Sequence, residues 1–331
     1  MSKKILNKVF AILLINIVMI IGTMGFTGCS SNKENDGKLN VVTTIFASYD
    51  FTRQIVKENG NVTMLLPPGA ETHSYEPTPQ DIIKISESDV FIYIGGENDQ
   101  WVDEILDTID TENIKIIKLM DLVETVEEEI VEGMEAEEDH EEGEATNDAH
   151  EHDEETEWDE HVWTSPKNAI TISKALAKEF EEIDKDNAKV YEENLDSYVS
   201  TLTQLDSEFE EVINNSKRDV MIFGDRFPIR YFVEEYGLKY YAAFPGCSSE
   251  TEASASTVAF LIDKVKQENI PVVFKIELST GNIANTISEA TGAKVLTFYA
   301  CHNLSKEDFD NGKTYVDFMR DNLKNLKEAL N

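Results

Sequence analysis

Basic residues are scarce in this chain. Only 29 Lys and Arg stand against 65 Asp and Glu among 331 residues, a formal net charge of −36. Nucleic-acid binding needs a basic face that neutralises phosphates, and none is visible, so that class is excluded. The same acidity disfavours peripheral docking on anionic lipid. Catalytic signatures are missing too: there is no G-x-S-x-G, no H-E-x-x-H and no Walker A loop. YIGGE (93–97) has two glycines but lacks the full dinucleotide fingerprint. Long apolar runs are absent but for FAILLINIVMIIG (10–22), 13 residues interrupted only by Asn16. That is signal-peptide length, not membrane-spanning length.

The apolar run follows Lys3, Lys4 and Lys8 and ends in FTGC. This resembles a bacterial lipoprotein lipobox, in which the cysteine is acylated and becomes the mature N-terminus. Residues 1–28 are therefore expected to be a signal peptide, with Cys29 the lipidated residue and an uncleaved anchor the alternative. Residues 29–38 read as a flexible tether. Either way the remainder lies outside the cytoplasm. Only three cysteines are present, so Cys247 and Cys301 remain, and that compartment permits a disulfide between them.

From residue 39, β-branched runs alternate with amphipathic segments. Strands are expected at 39–46, 62–68, 90–96 and 115–120, with helical patterns at 47–59, 78–88 and 99–109. The same grammar returns with strands at 219–224, 239–245, 271–277 and 294–300, and helices at 229–237, 255–269, 282–292 and 314–331. This is an α/β pattern: two lobes, each with a four-stranded, mostly parallel sheet flanked by helices. Leu195, Tyr198, Val199, Leu202, Leu205, Phe209, Val212 and Ile213 recur at helical spacing, within a stretch (186–216) free of Gly and Pro. It predicts one long rigid helix joining an N-terminal lobe (39–185) to a C-terminal lobe (217–331), a rod of roughly 45 Å.

Residues 124–160 hold 20 Asp or Glu, no Lys or Arg, and His140, His150 and His152. Such a block is normally disordered and solvated. It reads either as a solubilising loop or as a weak trap for divalent cations.

Ligands of open α/β sheets gather beyond the carboxyl ends of the strands. The residues there include Glu71, His73, Glu97, Asn98, Asp225, Arg226, Cys247, Glu250, Glu277, Cys301 and His302. His161, in WDEHVWTSP, lies between the acidic block and a helix opening at Pro166. Imidazole with carboxylate is the donor set for zinc or another first-row divalent ion.

VVTTIFASYDFTRQIV, LLPPGAETHSYEPTPQDIIKISESDVFIYIGGENDQWVDEIL and DEHVWTSPKNAI resemble the zinc- and manganese-binding lipoproteins of ABC importers, the cluster A-I solute-binding family. HSYEPTP and HVWTSP astride an acidic, histidine-bearing loop carry most of the likeness, which covers about residues 39–331. It implies two α/β lobes joined by a rigid helix, with metal in the cleft and His73 and His161 as ligands. Pro77 and Pro79 would help to hold His73 in place before metal arrives. The second lobe departs from the family pattern. Where the family has HxAFxY, or Glu for that His, this chain reads GDRFPIRYF, so Asp225 is the residue carried over. The family's fourth ligand is an Asp near the last strand; here YACHNLS offers His302, with Cys301 the alternative. Glu277 matches a family glutamate and is expected to orient a ligand, with direct coordination open to it.

The expected function is capture of Zn²⁺ and its delivery to an ABC permease by a monomeric, lipid-anchored, non-catalytic protein on the outer face of the cell membrane. The acidic loop resembles the zinc-specific branch, and three His with one carboxylate favour zinc over manganese. Mn²⁺ is the alternative cargo. The rival classes are a zinc hydrolase using Glu277 as general base and a surface adhesin acting in cell adhesion without metal.

Overall fold

The computed structural model describes residues 37–70, 75–96, 99–134, 157–248 and 252–331. The expected signal peptide and lipidated Cys29 lie outside these residues. So do Glu71, His73, Glu97, Asn98, His140, His150, His152 and Glu250. Among the described residues, no helix is long and apolar enough to cross a membrane.

The first lobe carries β1 (Leu39–Thr43), β2 (Gly60–Met64), β3 (Val90–Tyr93) and β4 (Lys115–Lys118), interleaved with α1 (Phe46–Val56), α2 (Pro79–Ser86) and α3 (Gln100–Leu106). Its sheet runs in the order β2-β1-β3-β4, and every pairing is parallel. The second lobe carries β5 (Val220–Phe227), β6 (Lys239–Pro245), β7 (Val272–Lys275) and β8 (Lys294–Thr297), in the order β6-β5-β7-β8 and again all parallel. The expected two-lobe α/β architecture is the one observed. The strands end earlier than their apolar runs at 46, 68, 96 and 300, because the last apolar residues turn into the loops above the sheets.

Helix ends follow local chemistry. Thr78 and Asp81 form a reciprocal capping box at α2, with Pro79 in the first turn. Ser165 accepts from the Lys167 and Asn168 amides to start α4 (Pro166–Ile183). The helix expected over 186–216 is α5 (Ala188–Asn214), about 40 Å long. In the second lobe come α6 (Arg230–Tyr236), α7 (Ala255–Gln267), α8 (Asn282–Thr291), the short unanticipated α9 (Lys306–Asp310) and α10 (Tyr315–Leu330).

The apolar core does not split cleanly between the lobes. One cluster includes Phe46, Phe51 and Trp163, passes through Tyr198, Leu202 and Phe209 of α5, and continues to Phe223, Phe298 and Tyr315. Smaller clusters lie around Phe91 in the first lobe and Val273 in the second. Polar ties run along the same seam. The Trp163 indole donates to the Ala300 carbonyl at 2.7 Å, and the Tyr315 hydroxyl to the Trp163 carbonyl at 2.9 Å.

The acidic block differs from its expected solvated state at both described ends. Glu127 and Trp158 form an antiparallel bridge, flanked by bonds from Glu128 N to Glu157 O and Asp159 N to Val126 O, both 2.9 Å. This stem is docked on the second lobe through Tyr231, whose hydroxyl donates to Asp159 O at 2.6 Å, and through Arg230–Glu129 and Lys264–Glu132 ion pairs. The physical reason is composition: Val126, Val131 and Met134 pack against the main core and give the acidic strand something to bury.

Candidate metal centre

His161 is fully buried one residue before a single 3-10 turn (Val162–Thr164) that leads into α4. Asp159 Oδ1 accepts from the His161 backbone at 2.8 Å and lies 3.1 Å from its Nδ1. A carboxylate only accepts, so Nδ1 carries the proton and Nε2 is the nitrogen whose lone pair can meet a metal. Burial pushes the imidazole pKa down, but the carboxylates of Asp159, Glu160 and Glu128 more than offset this, leaving it raised. The same negative surroundings favour a divalent cation.

His302 joins His161 from the second lobe. Their rings stand edge to face with centroids 5.3 Å apart, and His302 packs on Trp163 at 4.9 Å. Its position is set by Glu277, whose carboxylate accepts from Ala300 N at 2.7 Å and His302 N at 3.1 Å. Two residues take left-handed backbone to allow this: Leu278, just after Glu277, and Cys301, between the two donors, each with φ of 61°. Burial pushes the Glu277 pKa up to about 7, against the backbone hydrogen bonds that lower it. Glu277 therefore holds the backbone of the loop that bears His302.

His73 lies outside the described residues, but its flank is tied to the same loop. Asn303 donates to the carbonyls of Pro67 at 2.9 Å and Ala70 at 2.8 Å, and Gly69 N donates to Leu304 O at 2.8 Å. Ala70, Gly246, Glu277 and His302 line one small cavity of about 30 Å³.

Two second-lobe expectations need correction. Asp225 does not join the histidines. It sits at an irregularity in the β5–β6 pairing, where its carboxylate accepts from Arg226 N at 2.9 Å and Ile276 N at 3.4 Å and also bonds Ser279. It lines a separate cavity of about 260 Å³ with Glu252, Ser279 and Asn282. Burial raises its pKa, against those hydrogen bonds. The Cys247–Cys301 disulfide is not formed; both are free thiols. Cys301 is buried in the main core with its sulfur toward the Tyr299 carbonyl, which also sets it aside as an alternative ligand. Cys247 instead stands beside Glu160 and His161, where burial, then Glu160, Glu128 and Asp159, push its thiol pKa up.

Glu160 is the residue that sequence reading missed. It is buried, and its carboxylate, His161 and Cys247 offer ligand atoms all within 4.8 Å of one another. One signal was available, its place directly before His161, but as one of 20 acidic residues in the block 124–160 it did not stand out.

Known proteins share this arrangement of chain. The profile of the family described as zinc-uptake complex component A, periplasmic, matches residues 41–329. The zinc-binding lipoprotein AdcA of Streptococcus pneumoniae is 32% identical over 304 residues, 91% of this chain and 58% of AdcA. The chain thus spans little more than half of that relative. The high-affinity zinc uptake system protein ZnuA of Bacillus subtilis is 32% identical over 313 residues, 94% of each chain. The crystal structure of the Zn(II)-bound ZnuA-like domain of S. pneumoniae AdcA superposes with a TM-score of 0.71 at 30% identity, covering 89% of this chain and 99% of that domain.

Proposed function

The chain belongs to the zinc-uptake complex component A family, and from that premise we propose that it is an extracytoplasmic solute-binding protein that captures Zn²⁺ between its lobes and hands it to an ABC permease. The observation that carries this reading is the buried pair His161 and His302, contributed by different lobes, with Asp159 fixing one imidazole and Glu277 the backbone of the other. A metal held there would tie the two lobes together, and its release would follow when they separate. His73 is the remaining imidazole in this proposal. The protein binds and delivers its cargo without catalysing a reaction. It acts as a monomer anchored through lipid on Cys29, and His140, His150 and His152 gather metal for the main site.

Elemental analysis and native mass of the full chain, purified without added metal or affinity histidines, test this directly. One tightly held zinc per chain is expected, and none in the His73→Ala, His161→Ala double variant. Zinc retained in that variant, or absent from the parent, would overturn the reading.

A further inference from the structure

The histidines account for nitrogen donors, but Asp225, the oxygen donor expected from the second lobe, is committed elsewhere. Two other ligand atoms are assembled beside His161. Those of Glu160, His161 and Cys247 lie within 4.8 Å of one another. Tetrahedral zinc with bonds of about 2.3 Å to sulfur and 2.0–2.2 Å to nitrogen or oxygen needs donors roughly 3.3–3.8 Å apart, so small side-chain rotations would close this group on an ion.

The group is held in place from several sides. Glu128 Oε1 accepts from Gly246 N at 2.8 Å and Cys247 N at 3.2 Å, fixing the loop after β6. The Glu160 backbone N–H bonds the Cys247 sulfur. A Cβ at Gly246 would stand 3.1 Å from His161 Cε1 and 3.0 Å from the Phe227 carbonyl, so a side chain there would crowd the approach of this loop to the imidazole. A Cβ at Gly96 would fall 1.7 Å from Glu160 Oε2, so that position too is kept bare for the carboxylate.

We propose that Cys247 is the sulfur ligand of the zinc site, binding as a thiolate from the second lobe beside His161 in the place expected of Asp225 and completing four donors with the three imidazoles, while the adjacent Glu160 carboxylate offsets the charge of the ion. The proposal rests on the zinc-capture reading above. On binding, the Cys247 S–H bond gives its proton to solvent and the sulfur lone pair forms the metal bond. A thiolate also selects among cargoes, because it suits zinc and softer ions and disfavours manganese.

Cobalt(II) reports the donor set of such a site without reference to transport. The full chain loaded with one Co²⁺ is expected to show a sulfur-to-cobalt charge-transfer band in the near ultraviolet. The band should persist in Cys301→Ser and disappear in Cys247→Ser, whose zinc affinity should fall by more than the roughly 10–100-fold typical of losing a supporting residue. Glu160→Gln should weaken binding and keep the band. Circular dichroism of each variant checks that it folds, and the parent spectrum is decisive even if a variant does not. One bound cobalt without the band in the parent, or a band that survives Cys247→Ser, would overturn the thiolate assignment and leave zinc capture standing. A parent that binds neither cobalt nor zinc would overturn both.

Discussion

In the first lobe β3 lies between β1 and β4; in the second, β7 lies between β5 and β8, the topologically equivalent place. A carboxylate, buried at Asp99 and partly buried at Glu277, follows each of these strands and accepts backbone hydrogen bonds. Asp99, after β3, takes Ile94 N at 2.6 Å and Gly95 N at 3.3 Å, so it closes its own loop. Glu277, after β7, reaches the loop beyond the neighbouring strand and takes Ala300 N and His302 N. The extra methylene of glutamate, and the left-handed turn at Cys301, convert a local loop closure into a support for a histidine in the inter-lobe seam. One fold plan therefore yields a local loop closure in one lobe and a support for the His302 loop in the other.

The largest expected effect separates these two carboxylates by pH. Burial is the chief cause of both shifts: Glu277 rises from 4.5 to about 7, and Asp99 from 3.8 to about 6. Between its ordinary and raised values, each group keeps its proton when folded and loses it when unfolded. The folded state then binds more protons, so stability falls as pH rises through the window. Each contribution is intact at the acid end and lost at the upper end, at most roughly 3 kcal/mol apiece. Urea denaturation of metal-free protein from pH 4 to 8 should show the stability difference between parent and Glu277→Gln drifting toward the variant from about pH 4.5 to 7. For Asp99→Asn the drift should run from about pH 3.8 to 6. A flat difference would mean the carboxylate stays ionised, its burial offset in full by the backbone donors.

How much of this was legible beforehand differs between the lobes. The alternation of β-branched runs with helical periodicity located all eight strands, because a parallel sheet buried on both faces imposes that pattern wherever it occurs. His161 stood out because it lies between the acidic block and a helix opening at Pro166, in the HVWTSP stretch that carries the family likeness. The meeting of Cys247 with Glu160 was hidden for two reasons. Their proximity joins residues 87 positions apart, through a loop held by Glu128 from within the acidic block. Periodicity also says nothing about loops, so the carry-over to Asp225 rested on aligned position, while the bulge in β5 and the backbone donors around it decide where that carboxylate points.

Next in size is the carboxylate that fixes His161. Asp159→Asn can still pair with the ring, but its amide end can donate toward Nδ1 and favour the other tautomer, which puts the proton on Nε2. Supporting partners of this kind are worth about 10–100-fold in metal affinity, and competition against a chelator should show a loss of that size. An unchanged affinity would mean that His161 either does not bind through Nε2 or is oriented well enough by the packing of Trp163 and His302.

Smallest is the effect expected at Asp225, although aligned position gave it a ligand's role. Its carboxylate faces a cavity lined by Glu252, Ser279 and Asn282, and its oxygens already accept from Arg226 N and Ile276 N. Asn keeps one acceptor and the shape, so Asp225→Asn should cost about 1 kcal/mol of stability from the weakened bond to Ile276. Zinc affinity should stay within about twofold, as for sites that share no partner. Isothermal titration alongside thermal unfolding separates these two quantities. A tenfold loss of affinity with stability unchanged would show that Asp225 leaves its backbone donors to meet the metal. The second lobe would then close on its cargo through β5 and not through the loop after β6.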